Sequence, residues 1–358
     1  MPLPSNATQF DEGPKKETRD IVIGLDFGTS FTKTVLQDPN LRKAFAVPFN
    51  GLSYPGNRYL LPSRLLLSGN GTWDLAGWNS NGIRDLKRAL MKMPEKIILL
   101  GPFRKLETNA LELVAAFLAL VIRHARIWFL SNWKEVYGHS KIRWQLNLGI
   151  PARNYDDKTI KQGFLTAARA AWWLSIQKGP VTFALMRDAV KQARRENFDP
   201  GIHPDYINVV PELAAEVAGY ARSPFRRPGL HLIVDVGAST MDIATFRLDV
   251  QSGEFRYAFL CAEVNENACK NLHRERIRKV FSELSGWVKL LKKTDDHEVL
   301  GSPAHYQPPR VSVEEVDERF VSRAAIPIRR IIATTKTQRD PNAPEWQTGV
   351  PLFVCGGG

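Results

Sequence analysis

The chain has 358 residues, 44% of them hydrophobic and 24% charged, enough to bury sizeable cores in two domains without a disulfide or metal staple. Its net charge of +12 raises nucleic acid as a partner, but the basic residues are dispersed in short clusters such as Arg226-Arg227 and Lys292-Lys293. With no long basic block interleaved with aromatics, a solvated basic surface is expected and nucleic-acid binding is not.

Residues 1–19 are polar, with acids and prolines, and read as a disordered leader rather than a signal peptide. Ile21 to Leu25 is a short apolar run, and Phe31 to Leu36 resumes a strand pattern after the turn-rich Asp26-Phe27-Gly28-Thr29-Ser30. This predicts a β-hairpin. Residues 42–100, with Gly and Pro between short apolar pieces, read as an inserted, loop-rich subdomain.

Asn109 to Trp133 carries helical spacing. Its longest apolar run, Val114 to Ile122, is too short to cross a bilayer, so no membrane span is expected. Trp144 to Ile150 reads as a strand, Asp156 to Ser175 and Thr182 to Asn197 as helices, Ile207 to Pro211 as a strand and Glu212 to Arg222 as an Ala-rich helix. Residues 223–229 read as a linker between halves.

Beyond it, Leu230 to Val234 and Asp242 to Leu248 flank the loop Asp235 to Met241, a second strand–loop–strand with the layout of the first. An internal duplication is therefore legible. Ala268 to Leu284 and Val313 to Ala333 suit helices, the second broken or kinked at Pro327. A polar, Pro-containing stretch, 293–311, separates them. Pro351 to Cys355 is a short strand, and the chain reaches Gly356-Gly357-Gly358 as if cut inside a glycine turn. Cys261, Cys269 and Cys355 form no CxxC pair and no metal-ligand spacing with histidine, as expected of a reducing cytoplasm.

The two loops share a chemistry. A polyphosphate needs backbone N–H groups and small hydroxyls at close range, and glycine permits that approach. A carboxylate at the loop mouth can hold Mg²⁺, usually through water. Asp26-x-Gly28-Thr29-Ser30 and Asp235-x-Gly237-x-x-Thr240-x-Asp242 both meet this specification, whereas GxxxxGK[ST] and GxGxxG are absent near them.

IGLDFGTSFTKTVL and LIVDVGASTMDIATF resemble the two phosphate motifs of the actin, Hsp70 and sugar-kinase superfamily. PELAAEVAGYA is similar to its first connecting helix and PLFVCGGG to the start of its adenosine motif. The resemblance covers about residues 20–358. It implies an α/β fold of the actin-like ATPase (ribonuclease H-like) type, with two lobes, 20–222 and 223–358. Each lobe would be a mixed five-stranded sheet flanked by helices, with inserted subdomains near 42–100 and 265–325.

The resemblance further implies ATP/ADP and Mg²⁺ as cofactors. Asp26 and Asp242 would surround the metal's water shell, and Asp235 would orient or deprotonate the attacking water. Gly28, Thr29, Ser30, Gly237, Ala238, Ser239 and Thr240 would line the phosphates, while Gly356 and Gly357 would pack on the adenosine. Lys33 would reach the phosphates or else be a solvated strand residue. Glu212 would polarise the water or else be an ordinary first-turn glutamate. A slow Mg-dependent, chaperone-like ATPase switch with a protein client or regulatory partner follows. An actin-like filament or scaffold, a sugar-kinase-like phosphotransferase and a binding-only pseudo-ATPase remain as alternatives.

The chain also departs from Hsp70. Residues 76–81 lack the expected lysine, Ala238 and Ser239 stand at glycine positions, and Val264 to Lys270 replaces a Gly-Gly segment. Arg274, Glu275, Arg276 and Arg278 either clasp an adenine ring or form a solvated helix face.

Overall fold

The computed structural model describes residues 17–93, 96–100, 105–151, 157–251, 254–283 and 312–356. It is a mixed α/β structure of two compact units, residues 1–150 with 154–211, and residues 151–153 with 212–358. Residues 1–16, Gly357 and the stretch 293–311 lie outside the described residues.

In the first unit, β1 (Glu17–Phe27) turns into β2 (Phe31–Asp38), followed by β3 (Lys43–Ala46), β4 (Leu61–Pro62), β5 (Leu65–Leu67) and β6 (Thr72–Leu75). Next come α1 (Leu86–Lys92), β7 (Ile97–Leu100), β8 (Lys105–Thr108), α2 (Ala110–Asn132) and β9 (Ser140–Ile150). The unit ends with α3 (Lys158–Ile176), β10 (Val181–Thr182), α4 (Phe183–Ala193) and β11 (Ile207–Pro211). The main sheet has the order β3–β2–β1–β9–β11, with β4 also on β2. The pairs around β2 are antiparallel, and β1–β9 and β9–β11 are parallel.

Period-two burial sets the faces of this sheet. Ile21, Ile23, Leu25 and Phe27 of β1 point inward with Thr32, Thr34, Leu36 and Asp38 of β2. α2 is apolar nearly all round and is accordingly a core helix. Asn109 caps it, its side chain accepting the Glu112 N–H at 3.0 Å. By length and composition α2 could cross a membrane, but most of its apolar stretch is buried inside the unit.

The second unit contains α5 (Glu212–Ala221), β12 (Gly229–Val236), β13 (Met241–Gln251), β14 (Glu254–Asn265), α6 (Cys269–Glu283), α7 (Glu314–Thr334) and β15 (Leu352–Gly356). Its sheet has the order β14–β13–β12–β15, with β12 and β15 parallel and the other pairs antiparallel. One face packs Ile233, Phe246 and Leu248 against Leu213 and Val217 of α5. The other packs Leu232, Val234 and Ile243 against Ile331 of α7.

The duplication read in the loops thus extends to topology. In each unit a hairpin gains a third antiparallel strand on one side and a parallel strand on the other, and a helix precedes that parallel strand. Among the described residues the second sheet has four strands, where five were expected.

Several expectations are corrected. β1 begins at Glu17, inside the expected leader, because residues 17–20 pair with Ser140–Arg143 of β9. Asp20 there accepts from Arg143, Nη2 to Oδ2 at 2.7 Å. Residues 42–100 are not wholly separate, since β3 and β4 both join β2. The units divide after Pro211 rather than at 223–229, because the apolar side of α5 packs on the second sheet. α7 is one continuous helix with Pro327 inside it, buried among its packed residues. β14 was not anticipated at all.

Candidate functional site: two glycine hairpins

In the first unit, the turn between β1 and β2 closes through the Gly28 N–H, which donates to the Phe31 carbonyl at 3.0 Å. A Cβ at Gly28 would overlap that same carbonyl oxygen. Glycine is therefore required here by close approach rather than by a left-handed dihedral. Asp26 is opposite Lys33 in the register, and Lys33 Nζ lies 3.1 Å from Asp26 Oδ2, both side chains about half exposed. Among the described residues, no hydrogen bond engages the hydroxyls of Thr29 and Ser30.

The loop is braced from behind. Ser63, which follows β4, donates its N–H to the Ser30 carbonyl at 2.8 Å and its hydroxyl to the Gly28 carbonyl at 2.7 Å. The Ser63 hydroxyl also lies 2.9 Å from that of Thr32. Phe31 stacks near Trp78, ring centroids 6.1 Å apart, in the 76–81 stretch that lacks the expected lysine.

In the second unit the construction repeats. The Gly237 N–H donates to the Thr240 carbonyl at 2.9 Å, and a Cβ at Gly237 would sit 2.9 Å from that oxygen. Asp235, at the end of β12, is opposite Asp242 on one side and Cys355 on the other. Asp235 is half-buried and Asp242 is buried. Again no hydrogen bond among the described residues engages the hydroxyls of Ser239 or Thr240.

The backing here comes from α6. The Lys270 N–H donates to the Ala238 carbonyl at 2.9 Å and the Cys269 N–H to the Gly237 carbonyl at 3.4 Å. Lys270 is itself buried. Gly356, at φ 99°, lies against the loop's entry strand, and a Cβ there would fall 2.5 Å from Asp235 Oδ1. Only glycine fits.

Glu212 opens α5 and is half-buried. One turn later, Glu216 neighbours the Cys355 thiol. Burial pushes that thiol up to about 11, with the carboxylates of Glu216 and Asp235 adding to the effect. Burial likewise raises the Cys269 thiol; Arg276 opposes the shift and Asp235 reinforces it. Both cysteines are therefore protonated neighbours of Asp235, not thiolates.

Of the basic cluster on α6, Arg276 is buried and bidentate on Asp317, at 2.7 and 2.9 Å, and Glu275 pairs with Arg323 of α7. Those two side chains join the helices of the second unit. Among the described residues no group of three metal-ligating side chains occurs. Mg²⁺ bound through one or two carboxylates, water and phosphate oxygens needs no such group. Asp235 and Asp242, opposite one another, suit it, while Asp26 would have to exchange Lys33 for the ion.

None of Ser63, Lys270, Glu216 and Cys355 was assigned a site role from the sequence. No family model and no curated protein matches the chain.

Proposed function

We propose that the chain is an ATP-binding, slowly hydrolysing switch of the actin/Hsp70 type, with the two hairpins supplying its phosphate contacts. One observation carries the reading. Both units present the same device at the end of an inner strand, a glycine turn closed onto the carbonyl three residues on. An acid stands two residues before each glycine, and among the described residues the hydroxyl donors at each tip carry no hydrogen-bond partner. The strand orders β3–β2–β1–β9–β11 and β14–β13–β12–β15 support the actin-like, ribonuclease H-like fold class.

In this reading Thr29, Ser30, Ser239 and Thr240 donate to phosphate oxygens, and the backbone approaches at Gly28 and Gly237. Lys33 leaves Asp26 to meet the phosphates. Asp235 orients the attacking water and accepts its proton, and the water's oxygen displaces ADP from the terminal phosphorus. Such chemistry rests on positioning and charge stabilisation rather than on covalent intermediates. Asp235 and Asp242 would hold Mg²⁺, with Asp26 the corresponding acid of the first hairpin, and the ion would supply charge neutralisation on the phosphates.

Purified protein with Mg-ATP tests this directly. ATP should raise the unfolding temperature and phosphate should be released slowly. Asp235→Asn should keep the stabilisation and lose the release. Absence of any stabilisation by ATP sinks the reading. Stabilisation without release in the natural chain identifies a binding-only protein.

A further inference from the structure

We propose that Ser63 is the residue that positions the first phosphate loop, acting through a directed chain of hydroxyls from Thr32 to the Gly28 carbonyl. The inference rests on the nucleotide reading above and adds to it a residue outside both loops.

The direction of the chain follows from counting protons. The Ser63 hydroxyl has one hydrogen, and the Gly28 carbonyl, 2.7 Å away, can only accept it. The 2.9 Å contact between Ser63 and Thr32 must then run from the Thr32 hydroxyl to Ser63 Oγ. Ser63 and Thr32 are both essentially excluded from solvent, so water cannot substitute for either hydroxyl. The Ser63 N–H holds the Ser30 carbonyl as well, at 2.8 Å.

The Gly28–Ser30 turn is thus gripped at both ends by one residue, and its own Gly28 N–H is committed to Phe31. With its carbonyls held inward, the loop leaves the Thr29 and Ser30 donors for a ligand. The brace arrives from 33 residues beyond Ser30, just after β4, whose pairing with the start of β2 brings Ser63 into place.

Removing the hydroxyl takes the bond from a half-buried carbonyl and leaves the buried Thr32 hydroxyl without its partner, a loss on the scale of about tenfold in any equilibrium that depends on the loop's shape. Ser63→Ala should therefore speed amide hydrogen exchange at residues 28–30 and weaken Mg-ATP binding about tenfold. Its affinity for adenosine, which has no phosphates, should stay unchanged. A merely structural role would lower stability without altering the ratio of ATP to adenosine affinity.

Thr32→Val is the second variant, because it keeps the Ser63–Gly28 bond and the side-chain volume. It should show a smaller effect of the same kind, and Thr32→Ser should restore natural behaviour. Unchanged exchange at 28–30 in Ser63→Ala would overturn the proposal, whether or not the natural chain binds ATP. Faster exchange in a chain that binds no ATP would keep Ser63 as the loop's brace and discard the nucleotide reading. Equal ATP-to-adenosine ratios in Ser63→Ala and the natural chain would overturn the link between brace and phosphate.

Discussion

Gly24 and Gly28 lie on or next to the same strand, yet they respond differently to an added methyl group. At Gly24 a Cβ would meet only the Val35 carbonyl, at 3.7 Å, an ordinary contact. At Gly28 it would overlap the Phe31 carbonyl that closes the turn. Gly28→Ala should therefore cost about 1–3 kcal/mol of stability by forcing the backbone apart. Gly24→Ala should stay within about 0.5 kcal/mol, as for sites free of such features. Urea unfolding of the two variants measures the difference, and equal costs would mean that the turn yields easily.

His231 makes a pH-dependent prediction at the same scale. It is fully buried, and its Nδ1 donates to the Gly229 carbonyl at 2.8 Å, so Nε2 accepts from the Tyr220 hydroxyl at 3.2 Å. That hydroxyl in turn accepts the Arg227 N–H at 2.9 Å. Burial lowers the His231 pKa; the Gly229 bond and the charge of Glu345 oppose the shift. A folded-state pKa below the unfolded one means that the unfolded chain binds more protons, so stability rises with pH. The contribution is complete above the unfolded value of about 6.5 and is lost progressively as pH falls below it. His231→Gln, which does not titrate, should flatten the stability profile below that pH. An equally steep profile in the variant would assign the slope to other groups.

Among elements, α3 shows how one side chain can end a helix. Arg123 of α2 donates to the carbonyls of Leu174, Gln177 and Gly179 at 2.8–3.2 Å and to that of Ser175 at 3.4 Å. These are the C-terminal turn of α3 and the residues just beyond it, where the helix dipole favours a cation. Arg123→Met keeps apolar bulk and removes the donors, and it should cost about 3 kcal/mol, the scale of losing several buried bonds to a charged group. A cost near zero would mean that water replaces the guanidinium there.

The helices, both hairpins and the acid–glycine spacing were readable because each depends on a local period or a turn residue. β14 was not, for a physical reason. It is an edge strand whose register against β13 shifts where Thr245 faces Cys261 and Phe246 faces Phe259, so its apolar residues do not keep one face. α7 misled in the opposite sense, since Pro327 is a local breaker overridden by burial of Val316, Pro327 and Ile331. The backing of the loops was illegible for a third reason. Ser63 and Lys270 reach the turns through tertiary contacts with segments distant in sequence, which no local period or turn residue reports.

At the scale of the whole molecule, each unit carries its own spectroscopic or chemical label. Seven of the nine tryptophans, Trp73, Trp78, Trp128, Trp133, Trp144, Trp172 and Trp173, belong to the first unit. All three cysteines, Cys261, Cys269 and Cys355, belong to the second and are free thiols. Tryptophan fluorescence in urea therefore follows the first unit, and pulsed thiol labelling follows the second, since burial keeps Cys269 and Cys355 protonated in the folded state. A ligand stabilises whatever folded structure it needs, by about 2.7 kcal/mol at a hundred times its dissociation constant. If ATP draws on both hairpins, saturating Mg-ATP should raise the midpoint reported by both probes. If only one hairpin binds phosphate, only its unit's probe should move. Ser63→Ala should then reduce the ATP-dependent shift in fluorescence and thiol labelling alike, because weaker binding at one hairpin lowers the occupancy of a shared ligand. A shift confined to the tryptophans would leave Asp235 and Gly237 without a nucleotide role, and would reduce the second hairpin to an architectural copy of the first.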